Sequence, residues 1–257
     1  MNSFGLAVRQ VYWTNKSFWR NPASAFFTFV FPLMFLVIFS SIFGTGQVTV
    51  GPGISVNEAT FYVPAIAVFS VITACYTNLA IGLTYTRDAG ILKRTHGTPL
   101  PGWAYLFGRI VHAVLVGVLL VAICVGFGVV FYHANPPTGT LPAFLLTLVI
   151  GCAAFCALGI AISTLIPNAD AAPAVVNASI LPLLFISGVF IPISNLPAWM
   201  DVISNIFPIR HFAEALIGSF FAVSGSGFYG ADLVVVIAWG IGGLLFAIRF
   251  FSWEPRA

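Results

Sequence analysis

A chain of 257 residues with 60% hydrophobic residues, 26 Phe and a mean hydropathy of +1.03 is too apolar for a soluble fold. Only 7% of its residues are charged, against about 25% in soluble domains, and a net charge of +3 built from so few groups makes no case for nucleic acid. Cys75, Cys124, Cys152 and Cys156 lie inside apolar runs without Cys-x-x-Cys spacing, so they read as packing residues and exclude a disulfide framework or zinc site.

In chain order, residues 3–20 are expected to form an amphipathic interface helix. Phe4, Ala7, Val8, Val11, Tyr12, Phe18 and Trp19 share one arc, and Arg9, Lys16 and Arg20 run beside it. Asn21-Pro22 reads as a cap and restart. The first span is expected from Phe26 to Phe43, bent near Pro32. A Gly/Thr/Val-rich loop without Lys or Arg follows over 44–59, then a second span from Phe61 to Leu83. No cleavable leader is expected, because the first apolar run begins only near Ser24.

The segment 84–101 concentrates Arg87, Asp88, Lys93 and Arg94 between two apolar runs, with Gly90 and Thr98-Pro99-Leu100-Pro101 bounding a short helix. Further spans are expected over Ile110–Phe131, Leu141–Ile166, Pro173–Phe190 (interrupted by Pro182) and Leu233–Phe251. Ala153, Ala157 and Ala161 in the fourth, and Gly240, Gly242 and Gly243 in the sixth, offer close-packing faces. The reading is one all-α polytopic domain over 1–257 with six transmembrane helices. Both termini are expected in the cytoplasm of a multi-pass plasma- or inner-membrane protein, since nine of the ten Lys and Arg then lie inside and only Arg210 outside.

Residues 187–230 are too apolar for a solvated loop and too broken for a span. Pro197 and Pro208 are each expected to open a short helix, the two forming a re-entrant extracellular pair between spans five and six. Trp199, Ile203, Phe212 and Leu216 would pack against the ends of those spans. Arg210, His211 and Glu214 would form a polar face, and Trp199, Arg210, His211 and Glu214 together are the candidate extracellular gate.

The missing chemistry narrows the function. Neither Lys16 nor Lys93 follows Gly, so the chain has no P-loop, and its seven acids fall in loops or at span ends rather than at a bilayer midplane. His112 reads as an interface histidine. No catalytic or metal-binding set assembles, so an enzyme is not expected.

Three stretches together resemble type-2 ABC exporter (ABC-2 type) permeases, and the likeness covers nearly the whole chain. They are the outer segment Gly188-Val-Phe-Ile-Pro192, Leu196-Pro197-Ala-Trp199, Phe207-Pro208 and Glu214-Ala215-Leu216; the run Arg87-Asp88-x-Gly90-x-Leu92-Lys93-Arg94 ending in Thr98-Pro99-Leu100-Pro101; and the amphipathic start before Asn21-Pro22. Asp88 stands where the family often has Glu, and His96-Gly97 is extra. The resemblance implies a permease with no cofactor of its own, paired with a second permease (identical or not) and separate ABC ATPase subunits that bind ATP and Mg. Arg87, Asp88, Gly90, Leu92, Lys93 and Arg94 would be the ATPase-coupling residues, with Arg87 and Asp88 as exposed docking charges. The Thr-Pro-Leu-Pro form is closer to the drug- and antibiotic-resistance branch. Export of a hydrophobic or amphipathic drug, antibiotic or lipid is therefore expected, with membrane lipids as surroundings. A glycan or lipid-linked polysaccharide exporter and a non-transporting membrane assembly protein are the alternatives.

Overall fold

The computed structural model describes residues 3–51, 53–190 and 197–255. The amphipathic start forms α1 (Ser3–Trp19). Ala7 is fully buried, while Phe4, Val8, Tyr12 and Trp13 stay exposed. Asn21 caps α2 (Pro22–Phe43), its Oδ1 accepting from the Ser24 N–H at 3.2 Å with Pro22 in the first turn. Pro32 is accommodated inside α2.

The stretch expected as a loop is instead a hairpin of β1 (Gln47–Gly51) and β2 (Ile54–Asn57), paired antiparallel with Val48 opposite Val56 and Thr49 opposite Ser55. β-Branched residues alternate along it, and Gly53 at φ +74° supplies the tight turn that other residues resist. The period of two is short and its apolar face is small, so composition alone reads as loop. Val48, Val50 and Val56 pack against the core.

Asn57 caps α3 (Glu58–Ile72), its side chain accepting from the Ala59 N–H at 2.9 Å. A π-turn over Thr73–Thr77 then carries α3 into α4 (Asn78–Asp88), giving one apolar helix of 31 residues that is 72% buried over its most apolar stretch. The π-turn lies where a neighbouring helix comes closest: a Cβ on Gly159 would stand 2.9 Å from the carbonyl oxygens of Cys75 and Tyr76. The short helix α5 (Ile91–His96) follows Gly90, which takes φ +68°.

Helix α6 (Gly102–Tyr132) starts earlier than expected and runs 31 residues. At 1.5 Å per residue that is about 46 Å, longer than the roughly 30 Å that a hydrocarbon core requires. Near its start, Gln10 of α1 occupies the space that a side chain at Gly108 would need.

Helix α7 (Leu141–Ser163) is the hub. It packs on α11 (Gly230–Phe250), where a Cβ on Gly240 would lie 3.0 Å from Ala154 Cα and one on Gly243 2.9 Å from Leu158 Cδ2. Small residues do bring these helices together, as the sequence suggests. Ala153 is nevertheless exposed, and Ala154 takes the contact.

Helix α8 (Ala172–Ile186) passes through Pro182 without interruption but has only 15 residues, about 22 Å. Among the described residues there are therefore five apolar helices long enough to cross a membrane and one shorter apolar helix, where six full spans were expected. The expected fifth span is cut at Ser187. There Gly188 turns at φ +75°, and Val189 and Phe190 fold into the core, the Tyr62 hydroxyl donating to the Phe190 carbonyl at 3.3 Å. Ile191, Pro192 and Leu196 of the outer signature lie outside the described residues.

Two short helices, α9 (Ala198–Ile206) and α10 (Pro208–Phe220), open at Pro197 and Pro208 as expected. They form a V whose apex sits beside α11, the Trp239 indole N–H donating to the Ile206 carbonyl at 2.8 Å.

Candidate functional site

The charged segment divides into a buried half and an exposed half. The last carbonyls of a helix have no partner within it. At the end of α7 and in the turn after it, such groups are taken up by Arg87, whose Nη1 donates to the Ser163 carbonyl at 3.0 Å and whose Nη2 donates to the carbonyls of Ile166 at 2.7 Å and Pro167 at 3.3 Å. Its Nε donates to Asp88 Oδ1 at 3.3 Å, and Asp88 Oδ2 accepts from the Ala169 N–H. The pair thus clips the end of α4 to the α7–α8 turn. Arg87 is 3% exposed, which corrects the expectation of two exposed docking charges. A lone guanidinium is costly to bury unless its donors are met, and here carbonyl and carboxylate oxygens meet them.

Leu92 is fully buried, holding α5 against the core. Ile91, Lys93 and Arg94 face outward. Lys93 makes a 3.3 Å ion pair with Glu254, both largely solvated, so the pair contributes little. The sequence reading missed the tail: Trp253 lies over Gly102 and within 5.2 Å of the His96 ring, capping the segment from outside. Its only local signal was an aromatic after the last apolar run.

Around the V, one polar network joins three helices. Arg210 donates to Asp201, to Ser204 Oγ at 2.7 Å and to Glu214 Oε1 at 2.7 Å. His211 Nδ1 lies 2.6 Å from Asp232 Oδ1 on α11, and its Nε2 lies 2.9 Å from the Asn205 carbonyl. Both partners can only accept, so making both bonds requires the imidazolium. Burial works to lower the His211 pKa, but the bonds to Asp232 and Asn205 and the charges of Asp232 and Glu214 outweigh it and raise the net value. Arg210, His211 and Glu214 are thus brought together as expected. The reading missed Asp201 and Asp232, whose roles depend on tertiary contacts.

Phe212 and Leu216 are fully buried, with Phe212 5.4 Å from the Phe155 ring. Trp199, expected beside them, is instead 60% exposed together with Val202 and Ile206, because α9 turns that face away from the spans.

Under the apex of the V lies a cavity of about 610 Å³ between α7, α8, α10 and α11. Phe207, Pro208 and Ile209 roof it, and Phe155, Leu183 and Phe246 are among its apolar walls. Tyr76, hydrogen-bonded to Ser179 at 2.7 Å, and Trp239 are its main polar features. Size and lining suit a largely hydrophobic ligand.

A buried clip to a neighbouring turn, an exposed charged helix beside it and an apolar cavity under a broken helical pair describe a multi-pass membrane transport domain. The family model described as ABC-2 type transporter matches residues 10–221, and the chain belongs to that family. It is 27% identical over 154 residues to "Probable multidrug ABC transporter permease YbhR" of Escherichia coli (strain K12), covering 60% of this chain and 42% of that protein. It is 27% identical over 217 residues to "Daunorubicin resistance ABC transporter permease protein DrrB1" of Streptomyces coeruleorubidus, covering 82% of this chain and 72% of that one. With "Putative transport permease YvfS" of Bacillus subtilis (strain 168) it shares 24% identity over 220 residues, 86% of both. The chain thus matches less than half the length of YbhR and most of DrrB1 and YvfS. An ABC-2 membrane domain carries no ATPase site of its own; nucleotide binding lies in a separate ATPase subunit.

Two predictions follow from these contacts. Arg87→Ala leaves buried carbonyls unpaired, at about 1–3 kcal/mol each, so membrane abundance and the melting temperature of the solubilised protein should both fall, with Arg87→Lys intermediate. Wild-type values for Arg87→Ala would show that the clip does not stabilise the fold. For His211, a raised folded pKa means that the stabilisation is complete below the unfolded value of about 6.5 and is lost as pH rises through the folded value. The melting-temperature gap between wild type and His211→Phe should therefore be wide at acidic pH and close under alkaline conditions; a gap independent of pH contradicts the imidazolium.

Proposed function

We propose that the chain is the permease subunit of an ATP-driven exporter that moves a hydrophobic or amphipathic molecule (a drug, antibiotic or lipid) outward. It works with separate ABC ATPase subunits and a second permease, identical or not. The observation that carries this reading is the Arg87–Asp88 clip: any displacement of α5 by a docked partner is delivered through it to the end of α7, the hub helix. Docking is assigned to the exposed side of α5, Ile91, Lys93 and Arg94, with Arg87, Asp88, Gly90 and Leu92 transmitting the motion rather than touching the ATPase. Rigid-body coupling of this kind needs a stiff connection between the two ends, which a buried, fully bonded guanidinium supplies.

The cargo class rests on the apolar cavity beneath the V and on the similarity to permeases named for multidrug and daunorubicin resistance. A glycan exporter would want hydroxyl-matching polar groups along the path, and this lining has few. Re-entrant placement of the V in the outer leaflet, with Arg210, His211 and Glu214 holding the roof residues Phe207–Ile209 closed at rest, makes the V the extracellular gate. Trp199 then faces lipid or the second permease.

Reconstitution with the ATPase tests the docking face. Arg94→Glu should leave membrane abundance unchanged while weakening ATPase copurification about tenfold or more, equivalent to about 1.4 kcal/mol. Undiminished copurification and transport in Arg94→Glu would remove α5 as the docking element. Orientation, with both termini cytoplasmic, rests on the one-sided distribution of Lys and Arg. In intact cells a membrane-impermeant thiol reagent should label Thr49→Cys and spare His96→Cys; the opposite pattern inverts the topology.

A further inference from the structure

A second cavity, of about 540 Å³, lies on the α5 side of the molecule, bounded by α1, α2, α4 and α6. Its chemistry differs from that of the apolar cavity. Gln10, Thr14, Ser17, Ser24, Asn78 and Arg109 are among its walls, an unusual density of polar groups so close to membrane depth. The guanidinium of Arg109 lies against Gly82 of α4, where a Cβ would collide with Nη2. Gly82 is six residues before the end of α4, so the cation lies roughly 9 Å in from that helix end.

All seven Asp and Glu side chains of the chain lie among the described residues, and none forms an ion pair with Arg109. One turn further along α6, on the same cavity wall, the Nδ1 atom of His112 is buried without a hydrogen-bond partner. A partly buried cation in such a cavity is favoured by an anion beside it. Among the described residues no carboxylate takes that place, which leaves it to an anion from outside.

We propose that this cavity binds the phosphate group of an anionic phospholipid, with Arg109 as its cation. A guanidinium fork matches phosphate oxygens in bidentate geometry, and the neighbouring hydroxyl and amide groups suit the remaining oxygens and the glycerol. Phe18, Leu79, Ile81 and Val116 give the same cavity an apolar wall for the upper part of an acyl chain. A free phosphate ion uses none of that wall. Trp13 and Tyr105 at the lining, and Lys16 5.2 Å from the Trp13 ring, set the site at headgroup level. Binding needs neither the ATPase nor transport, so it stands apart from the exporter reading.

Native mass spectrometry of the purified full chain in detergent tests this with phosphatidylglycerol, phosphatidylcholine and inorganic phosphate as probes. Phosphatidylglycerol should bind wild type more tightly than phosphatidylcholine, and Arg109→Gln should weaken it about tenfold or more. Arg249→Gln, on another helix, should leave binding unchanged. Thr28→Phe, which fills the cavity without touching the cation, should weaken binding comparably and keeps the proposal testable if Arg109→Gln fails to fold. Equal binding to wild type and to either cavity variant overturns the site. Displacement of the lipid by millimolar inorganic phosphate overturns the lipid and leaves only an anion site.

Discussion

Three backbone carbonyls, one at the end of α7 and two in the turn after it, converge on the buried guanidinium of Arg87, and much of the molecule's mechanical continuity depends on that convergence. Helix ends leave carbonyls that water usually satisfies. Here an arginine from another helix does so, and Asp88 beside it accepts from the N–H of Ala169 in the next turn. One dipeptide thus fixes where α4 ends, where α7 ends and how the turn into α8 is held. Replacing the guanidinium with a shorter or uncharged group would strand several polar atoms at once, so its role is structural before it is anything else.

From that clip the packing runs along α7. Gly159 admits the carbonyls of the π-turn, Gly151 admits the Phe212 ring, and Ala154 meets Gly240 of α11. A helix so closely contacted on several sides behaves as a solid rod, because interiors packed to this density transmit displacement rather than absorb it. The π-turn is the exception in the partner helix: its widened backbone presents Tyr76 to Ser179 at the wall of the apolar cavity. π-Turns within helices are frequent at functional positions, and this one lies where helix contact and cavity meet.

The two cavities divide the molecule chemically. Beneath the V the walls are almost wholly apolar, and the polar groups present are largely satisfied by one another or by backbone. On the α5 side the walls carry an arginine without a carboxylate and a histidine nitrogen without a partner. Around the V, by contrast, every charge is answered: Arg210 by Asp201 and Glu214, and His211 by Asp232. Helices too short to be stable alone in water are held there by cross-links between elements rather than by intrinsic propensity.

The sequence by itself determined what depends on neighbours along the chain. Apolar run length located five long helices, Asn21-Pro22 marked a cap, Pro197 and Pro208 marked two restarts, and amphipathic spacing marked α1. These signals work because helix geometry and capping act within about four residues. The order of motifs was also enough to indicate the family. What only the tertiary structure decided were the partners of the few polar groups. Arg87 meets oxygens near 80 positions away, His211 meets Asp232 across 21, and Trp253 covers Gly102 across 151. A charge between two apolar runs reads as solvated because most are; nothing local reveals that a turn folds over it. The same holds for α8, whose apolar run continues to Phe190 in sequence while the helix stops at Ile186, because a glycine turn and the core claim the last residues.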